Sequence, residues 1–335
     1  MPLMKKKSMQ ILIVILVTAG GLYLALHKVQ FDEVWAALRG ARWGWVGAAA
    51  LCALSSYVLR AYRWRLLLDK QLSVREAFGL ISIGYLVSDM LPFRAGDPAR
   101  GVAASLRSPV SAMMALSTVV VERTLDMLTI GVIMVLTLPF ISGLEDTVGK
   151  GVLGGGTALG VILVLTLMAL YPKKVESLAR WVLTRLPLGD PERWLNPLRG
   201  ILDGLQALRS PHKGIKLGLL SLGIWGAVLV YYIAMQQALL YHALPARPFL
   251  VAAVVTWATA LGMTTPTPGG LGGYHVAAQL ALTLPFGIDQ DLAAAYGWLG
   301  WGLSYLLGVG LGAVAMLSWG LSFKSVLGGQ KPQET

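Results

Sequence analysis

Long apolar stretches, separated by polar connections, run along most of the chain. Those long enough to cross a bilayer, at about 20 residues each, lie at 9–27, 43–59, 111–141, 150–171, 215–241 and 292–320. A backbone in lipid must satisfy its hydrogen bonds internally, so such stretches are predicted to be helices. The pattern predicts an all-α polytopic membrane protein with about six spanning helices.

Two further apolar regions, 77–107 and 249–287, are interrupted by proline and glycine. The first contains Leu-Pro-Phe-Arg-Ala-Gly-Asp-Pro at 91–98, and the second contains Thr-Thr-Pro-Thr-Pro-Gly-Gly-Leu-Gly-Gly at 264–273. Proline lacks a backbone donor and glycine weakens a helix, so the broken backbone needs partners from protein, water or ligand. We predict two re-entrant hairpins whose tips meet at membrane depth, where broken segments form substrate sites.

The distribution of charge predicts the orientation of the chain. Basic residues occur at the N-terminus, at 60–75, throughout 172–214 and in the C-terminal tail, whereas acid-containing connections lie at 143–146 and 288–291. Lysine and arginine concentrate on the cytoplasmic side of membrane proteins. We therefore predict a multi-pass protein of the cell inner membrane with both termini cytoplasmic. The first hairpin then enters from the cytoplasm and the second from outside, in an inverted-repeat arrangement.

Composition supports a single membrane domain over residues 1–335, because 56% of the residues are hydrophobic and only 13% are charged. Segment 172–214, which is rich in lysine and arginine, contributes to the formal net charge of +11 and is predicted to be a cytoplasmic basic amphipathic segment on anionic inner-leaflet lipids. No nucleic-acid-binding motif accompanies this charge, so a nucleic-acid partner is not expected. Arg60, Arg63 and Arg65 follow the second span and are interpreted mainly as topology anchors.

Ionisable residues within apolar sequence are costly and are functional hypotheses by default. They occur at the first break and in the run 111–141: Arg94, Asp97, Arg100, Glu122, Arg123 and Asp126. Arg123 and Asp126 are three residues apart and are expected to pair, which leaves a carboxylate to neutralise an arginine of the first hairpin. A guanidinium held in this way suits a phosphate or carboxylate of a membrane lipid. The alternative is a buried ion-pair network that only fixes helix register.

The second break supplies hydroxyl groups and backbone amides that can approach a ligand closely. The candidates are Thr265, Thr267, Gly269, Gly270, Gly272 and, just after the break, His275. The alternatives are a packing hinge for the loop and a structural hydrogen bond for the histidine. The sequence contains no phosphate loop, zinc-binding helix or nucleophile elbow, so we predict no catalytic residues, no metal and no cofactor.

Four segments, at 60–68, 91–97, 117–126 and 266–272, resemble the lysylphosphatidylglycerol synthase transmembrane-region family. The most specific elements are Val-Glu-Arg-x-x-Asp at 121–126 and Pro-Gly-Gly-Leu-Gly at 268–272. Three positions depart from the family pattern: Asp89 stands where Asn is usual, Asp97 where Glu is usual, and His275 where an acid is usual.

The resemblance implies a non-enzymatic, flippase-like protein that moves a polar-headed lipid between leaflets. The expected cargo is an anionic phospholipid, an aminoacyl-lipid, a hopanoid or a polyprenyl-phosphate-linked lipid. A separately encoded lipid-modifying synthase is an implied partner, and a homodimer stays open. Three other functions remain: an intramembrane enzyme acting on a lipid phosphate or sugar, an ion-coupled small-molecule transporter, and a regulatory subunit of a lipid or glycan synthesis machine.

Overall fold

A computed structural model describes residues 2–27, 29–141, 171–185, 211–243 and 246–328, together with 190–192, 195, 198, 199 and 202; for 2–13 and 211 it describes the backbone alone. Regular structure in this part of the chain is helical throughout, which confirms the predicted all-α class. The predicted span at 150–171 lies outside the described residues except at its last position, and the predicted outer connection at 143–146 lies wholly outside them.

The α-helices of the described part are, in chain order, α1 (Pro2–Leu26), α2 (Phe31–Arg39), α3 (Trp43–Leu67), α4 (Val74–Met90), α5 (Gly96–Arg107), α6 (Ala112–Thr137), α7 (Pro172–Leu183), α8 (Pro211–Leu239), α9 (Pro248–Gly262), α10 (Gly273–Phe286), α11 (Gln290–Ser318) and α12 (Phe323–Gly328). Short 3₁₀ turns occur at Leu138–Phe140 and Pro268–Gly270.

Helices α1, α3, α6, α8 and α11 overlap the predicted spans. Within the described residues, three helices are long and apolar enough to cross a membrane by length and composition: Trp43–Leu67, His212–Leu239 and Gln290–Ser318. Val14–Leu26 and Phe31–Arg39, bent by 78° to each other, would together form a fourth span. Helix α6, with 26 residues, is comparable in length to these three helices. It differs from them in carrying three charged residues near its middle.

Each interrupted region folds back on itself as a pair of adjacent helices. Helices α4 and α5 pack together across residues 91–95, and α9 packs against α10 across residues 263–272. The first turn holds Phe93 and Arg94 at φ of 60° and 51°, and the second holds Gly269, Gly270 and Gly272 at φ of 55°, 68° and 87°. Positive φ is incompatible with a right-handed helix and helps to reverse the chain between the two helices of each pair. The depth of these hairpins in a membrane stays a prediction.

The two turns contact each other. A guanidinium N–H of Arg94 donates to the Met263 carbonyl at 3.3 Å, and the Pro268–Gly270 turn packs against α4. The helix after each hairpin packs against the other hairpin: α6 packs against α9, and α11 packs against α4. This reciprocal packing supports the predicted repeat relation between the half that contains α4–α6 and the half that contains α9–α11. The inverted orientation of the two halves in the membrane stays a prediction.

Helix α5 lies close to α4 because glycines meet at the crossing. A Cβ on Gly84 would lie 3.2 Å from the Gly96 carbonyl oxygen and 3.3 Å from the Arg100 Cβ. A Cβ on Gly96 would overlap the Gly84 carbonyl oxygen and the Ser88 hydroxyl. The close approach brings the charged face of α5 up to α6.

We expect Gly96→Ala to lower the free energy of unfolding by about 1–3 kcal/mol, because the added methyl group forces α4 and α5 apart. Thermal unfolding of the purified protein in detergent measures the effect. Gly47→Ala is the matched control, since a Cβ there meets no atom within 4 Å. Equal effects of the two substitutions would contradict the close crossing.

Helix α7 corresponds to the first half of the predicted basic amphipathic segment. Its apolar residues Leu178, Trp181 and Val182 are exposed on the described surface. Arg180 pairs with Glu192 at 2.6 Å, and the Arg185 guanidinium lies 3.7 Å from the Trp181 ring centroid. An exposed apolar face flanked by basic residues fits a helix lying on a membrane surface. Its position on the inner leaflet stays a prediction.

Candidate functional site: a buried arginine and carboxylate cluster

Charged side chains from α3, α5 and α6 meet between these helices. Helical spacing brings them together, because residues three or four apart share one face of a helix. Arg60 and Arg63 occupy one face of α3, and Glu122 and Asp126 share a face of α6. Helix α5 contributes Asp97 and Arg100.

Asp126 is the centre of one half of the cluster. Its carboxylate accepts hydrogen bonds from Arg60 at 2.9 Å, from Arg63 at 2.8 Å and from the indole N–H of Trp225 at 3.2 Å. The same Arg63 nitrogen, Nη1, donates to the Ser221 hydroxyl at 3.0 Å. Helix α8 thus supports the ion pairs between α3 and α6. Arg63 is fully buried, so these ion pairs are shielded from water.

Glu122 is the centre of the other half and neutralises an arginine of the first hairpin. Its carboxylate accepts a hydrogen bond from Arg100 and lies 3.9 Å from Nε of Arg63. The Arg100 guanidinium also lies 4.3 Å from the ring centroid of Trp64, a cation–π contact. Glu122 therefore links α6 to both α3 and α5.

Arg123 pairs with a different carboxylate from the one expected. It donates to Asp97 through Nε at 3.0 Å and Nη2 at 2.6 Å, a two-pronged contact across to α5. The expected Arg123–Asp126 pair is wrong, since Asp126 is held by α3. The reason is that Arg123 faces α5 while Asp126 faces α3 and α8, and interhelical partners in good geometry outcompete a neighbour on the same helix.

A cavity of about 20 Å³ lies inside the cluster. Four arginines and three carboxylates line it: Arg60, Arg63, Arg100, Arg123, Asp97, Glu122 and Asp126. Its charged wall therefore carries a formal charge of +1, from four positive and three negative groups. The volume suits about one water molecule, so a larger group enters only if the surrounding helices separate.

Several buried guanidinium donors have no hydrogen-bond acceptor among the described residues. They are Nε and Nη2 of Arg63 and Nε of Arg100. A buried donor without an acceptor costs about 1–3 kcal/mol, and more when it is charged. Excess positive charge and spare donors together fit an anion with several oxygens, such as a phosphate.

A larger chamber of about 230 Å³ adjoins this cavity, since Arg60 and Tyr85 line both. Aromatic side chains form much of its wall: Tyr57, Tyr85, Trp225, Tyr232, Tyr274, Trp301 and Tyr305. Residues from both hairpins reach it, Asp89 from the first and Gly269 from the second. A Cβ on Gly269 would lie 3.5 Å from the backbone oxygen of Asp89, so the hairpins meet at the chamber wall.

The predicted residues of the second break lie apart from the arginines. Thr265 and Thr267 hydroxyls contact each other at 3.2 Å, and Thr265 donates to the Gly262 carbonyl at 2.9 Å. Of the predicted glycines, Gly269 lines the aromatic chamber, and its carbonyl accepts from Trp301 at 2.8 Å. Gly270 is buried against Met263, and Gly272 approaches the backbone of α1 at Gly21. The hydroxyls of Thr265 and Thr267 thus form their hydrogen bonds within the loop itself, which favours the packing-hinge interpretation.

His275 is fully buried and holds the start of α10. Its Nδ1 accepts the Gly272 backbone N–H at 3.4 Å, and its ring centroid lies 3.9 Å from that of Trp298. It lines neither the charged cavity nor the aromatic chamber. Its Nε2 is buried and has no hydrogen-bond partner among the described residues, so a role for this histidine in binding stays a prediction.

Arg94 also lies outside the cavity that Glu122 lines. It is exposed at the tip of the first hairpin, and its guanidinium donates a hydrogen bond to the Met263 carbonyl. The structure therefore groups Asp97, Arg100, Glu122, Arg123 and Asp126 in one place, and it separates Arg94 and the second break from them.

Sequence reasoning missed Arg60 and Arg63, which it interpreted mainly as topology anchors. Helix α3 continues through Leu67 instead of ending near residue 59, because Arg60 and Arg63 are paired with Asp126 inside the protein. The three-residue spacing of the two arginines, followed by the apolar residues Trp64, Leu67 and Leu68, is the signal that could have found them.

Long apolar helices around a buried ion-pair cluster define a polytopic helical membrane protein. Residues 11–312 match the family model described as the lysylphosphatidylglycerol synthase TM region, so the chain belongs to this family, and the predicted resemblance is confirmed. Glycosyltransferase AglD of Haloferax volcanii is 27% identical over 315 residues, covering 82% of this chain and 49% of the relative. The chain thus spans about half of that relative's length. No solved structure matches the chain.

Proposed function

We propose that this protein moves a polar-headed, anionic lipid between the leaflets of the cytoplasmic membrane. The phosphate of the head group binds the arginines of the buried cluster, and the acyl or prenyl tails stay in the bilayer. Both termini face the cytoplasm, as the distribution of basic residues predicts.

The observation that carries the proposal is the combination of positive charge and spare donors in the charged cavity. Arg63 and Arg100 are both buried, and each retains guanidinium N–H groups without an acceptor among the described residues. A purely structural network gains nothing from such donors, whereas a phosphate oxygen accepts from them.

The small volume of the charged cavity fits a closed state of a transport cycle. The aromatic chamber beside it touches both hairpins, so a relative movement of the hairpins would change the space beside Arg60 and Tyr85. Hinges at helix-breaking turns are a common source of such movement. Family membership and a relative named as a glycosyltransferase support a role in lipid or glycan synthesis.

The exchange of a fluorescent phosphatidylglycerol between leaflets of proteoliposomes tests the proposal. The double substitution Arg100→Gln/Glu122→Gln removes the buried Arg100–Glu122 ion pair, together with the longer Arg63–Glu122 pair, without changing the net charge, and the two amides can still bond to each other. We expect exchange to slow by about tenfold or more, because a charged hydrogen bond to the phosphate contributes roughly 1.5–3 kcal/mol.

The control is Arg180→Gln/Glu192→Gln, which removes exposed ion pairs instead, namely those of Arg180 and Glu192 with each other, of Arg180 with Glu176 and of Glu192 with Arg199. Exchange at the wild-type rate in both double variants, at equal folding and insertion, would contradict the proposal. A new lipid product in mass spectra of expressing cells would instead indicate an intramembrane enzyme. Absence of exchange combined with copurification of a synthase would indicate a regulatory subunit.

A further inference from the structure

A groove separate from the charged cavity runs along the outside of α3 and α8. Its volume is about 420 Å³, within the range of small-molecule sites. It is lined by Leu59, Tyr62, Arg65, Leu66, Lys70, Lys216, Leu219 and Leu220. None of these residues lines the charged cavity or the aromatic chamber.

One end of the groove is positively charged without compensation. Arg65, Lys70 and Lys216 line it, and no carboxylate does. The side-chain ammonium groups of Lys70 and Lys216 make no hydrogen bond or ion pair with the part of the chain that the structure describes. Arg65 donates from Nε to the Leu72 carbonyl at 2.9 Å, which fixes its guanidinium in place.

The backbone after α3 turns back to place Lys70 at this end. Asp69 and Lys70 have φ of 49° and 64°, and the Lys70 N–H donates to the Arg65 carbonyl at 2.8 Å. The left-handed conformation is unfavourable for residues other than glycine, so this turn is maintained by its surroundings. The turn brings Lys70 close to Arg65, so two basic residues of the groove lie together.

The rest of the groove is aliphatic and opens onto apolar surface. Leu59 and Leu66 of α3 face Leu219 and Leu220 of α8. On the same helix Ile215 and Leu222 are exposed by 63% and 65%, as expected of a lipid-facing side. A soluble anion would match only the basic end, whereas a membrane lipid matches both ends.

We propose that this groove binds one anionic phospholipid of the surrounding membrane, with its phosphate at Arg65, Lys70 and Lys216 and an acyl chain along the four leucines. The lipid would hold α3 against α8, the helix pair that supports Arg60, Arg63 and Trp225. The site does not depend on the proposed transport function, because it shares no residue with the transport cavity.

Native mass spectrometry of the full chain in a non-ionic detergent tests this site. The probes are phosphatidylglycerol and phosphatidylcholine with identical acyl chains. We expect the wild-type protein to retain one phosphatidylglycerol at about tenfold lower lipid concentration than phosphatidylcholine. Lys70→Gln/Lys216→Gln should abolish this preference, because each basic residue near an anionic head group adds to the attraction.

Two further variants separate charge from fit. Arg75→Gln/Lys324→Gln removes the same charge from exposed positions outside the groove and should keep the preference. Leu220→Trp narrows the aliphatic half and keeps all three basic residues, so it should weaken the binding of both lipids.

Unchanged phosphatidylglycerol binding in Lys70→Gln/Lys216→Gln would overturn the proposal. Equal binding of the two lipids by the wild type would also overturn it. Displacement of the bound lipid by millimolar inorganic phosphate would show a soluble-anion site instead. The Arg100→Gln/Glu122→Gln variant should keep the lipid, which distinguishes failure of this site from failure of the transport proposal.

Discussion

Asp126→Asn should destabilise the protein by about 3–5 kcal/mol, the cost of breaking a buried ion pair by removing one partner. The substitution removes the carboxylate that Arg60 and Arg63 share, and both arginines are largely withdrawn from solvent, with side-chain exposures of 13% and 0%. Asparagine keeps one acceptor oxygen, replaces the other by an NH₂ donor and cannot neutralise either guanidinium. Equilibrium unfolding in mixed detergent micelles measures the change.

The matched control for Asp126→Asn is Asp69→Asn. Asp69 pairs with Lys213 at 2.6 Å, but its side chain is 71% exposed, so the loss should be below about 1 kcal/mol. Similar losses in the two variants would mean that water reaches the cluster freely, and the burial argument would then fail.

Arg63→Gln should slow leaflet exchange of phosphatidylglycerol by about 100-fold. The change removes a fully buried guanidinium with two spare nitrogens and brings the charged wall of the cavity from +1 to 0. Asp126 keeps Arg60 as a partner, so the fold should survive. An anion that loses both charge and paired donors loses about 3 kcal/mol of binding, which corresponds to this factor.

Arg63→Lys separates charge from geometry at the same position. Lysine preserves the positive charge but replaces the planar fork by a point charge, so exchange should fall by about tenfold only. Arg75→Gln, an exposed arginine on α4, is the control and should exchange at the wild-type rate. Phosphate binding by Arg63 would be contradicted if the exchange rate did not decrease in the order wild type, Arg63→Lys, Arg63→Gln.

The helices and the turns were predictable because membrane helices follow from long apolar runs and from the residues that interrupt them. The breaks at 91–98 and 264–273 carry the helix-ending chemistry in their own sequence, and the structure ends α4 and α9 close to them. Glu122 and Asp126 were also accessible, since charge within an apolar run is visible without a structure.

Partner choice within the cluster was not predictable from spacing alone. Arg123 has an acid three residues away on its own helix, yet it pairs with Asp97 on α5. That choice depends on how far α6 is rotated about its axis, which packing against α3, α5 and α9 determines. Arg94 was expected in the same site because it lies in the first break, but the reversal at positive φ directs it to Met263.

In the proposed transport cycle, a lipid head group enters the arginine-lined cavity while the tails remain outside. Photocrosslinking with two phosphatidylglycerol probes tests it, one with a diazirine on the head group and the other with a diazirine at the end of an acyl chain. We expect head-group adducts on Tyr85, Ser88 and the segment around Glu122, and tail adducts on exposed residues such as Leu222. Head-group adducts confined to the outer surface, with none on cavity residues, would contradict it.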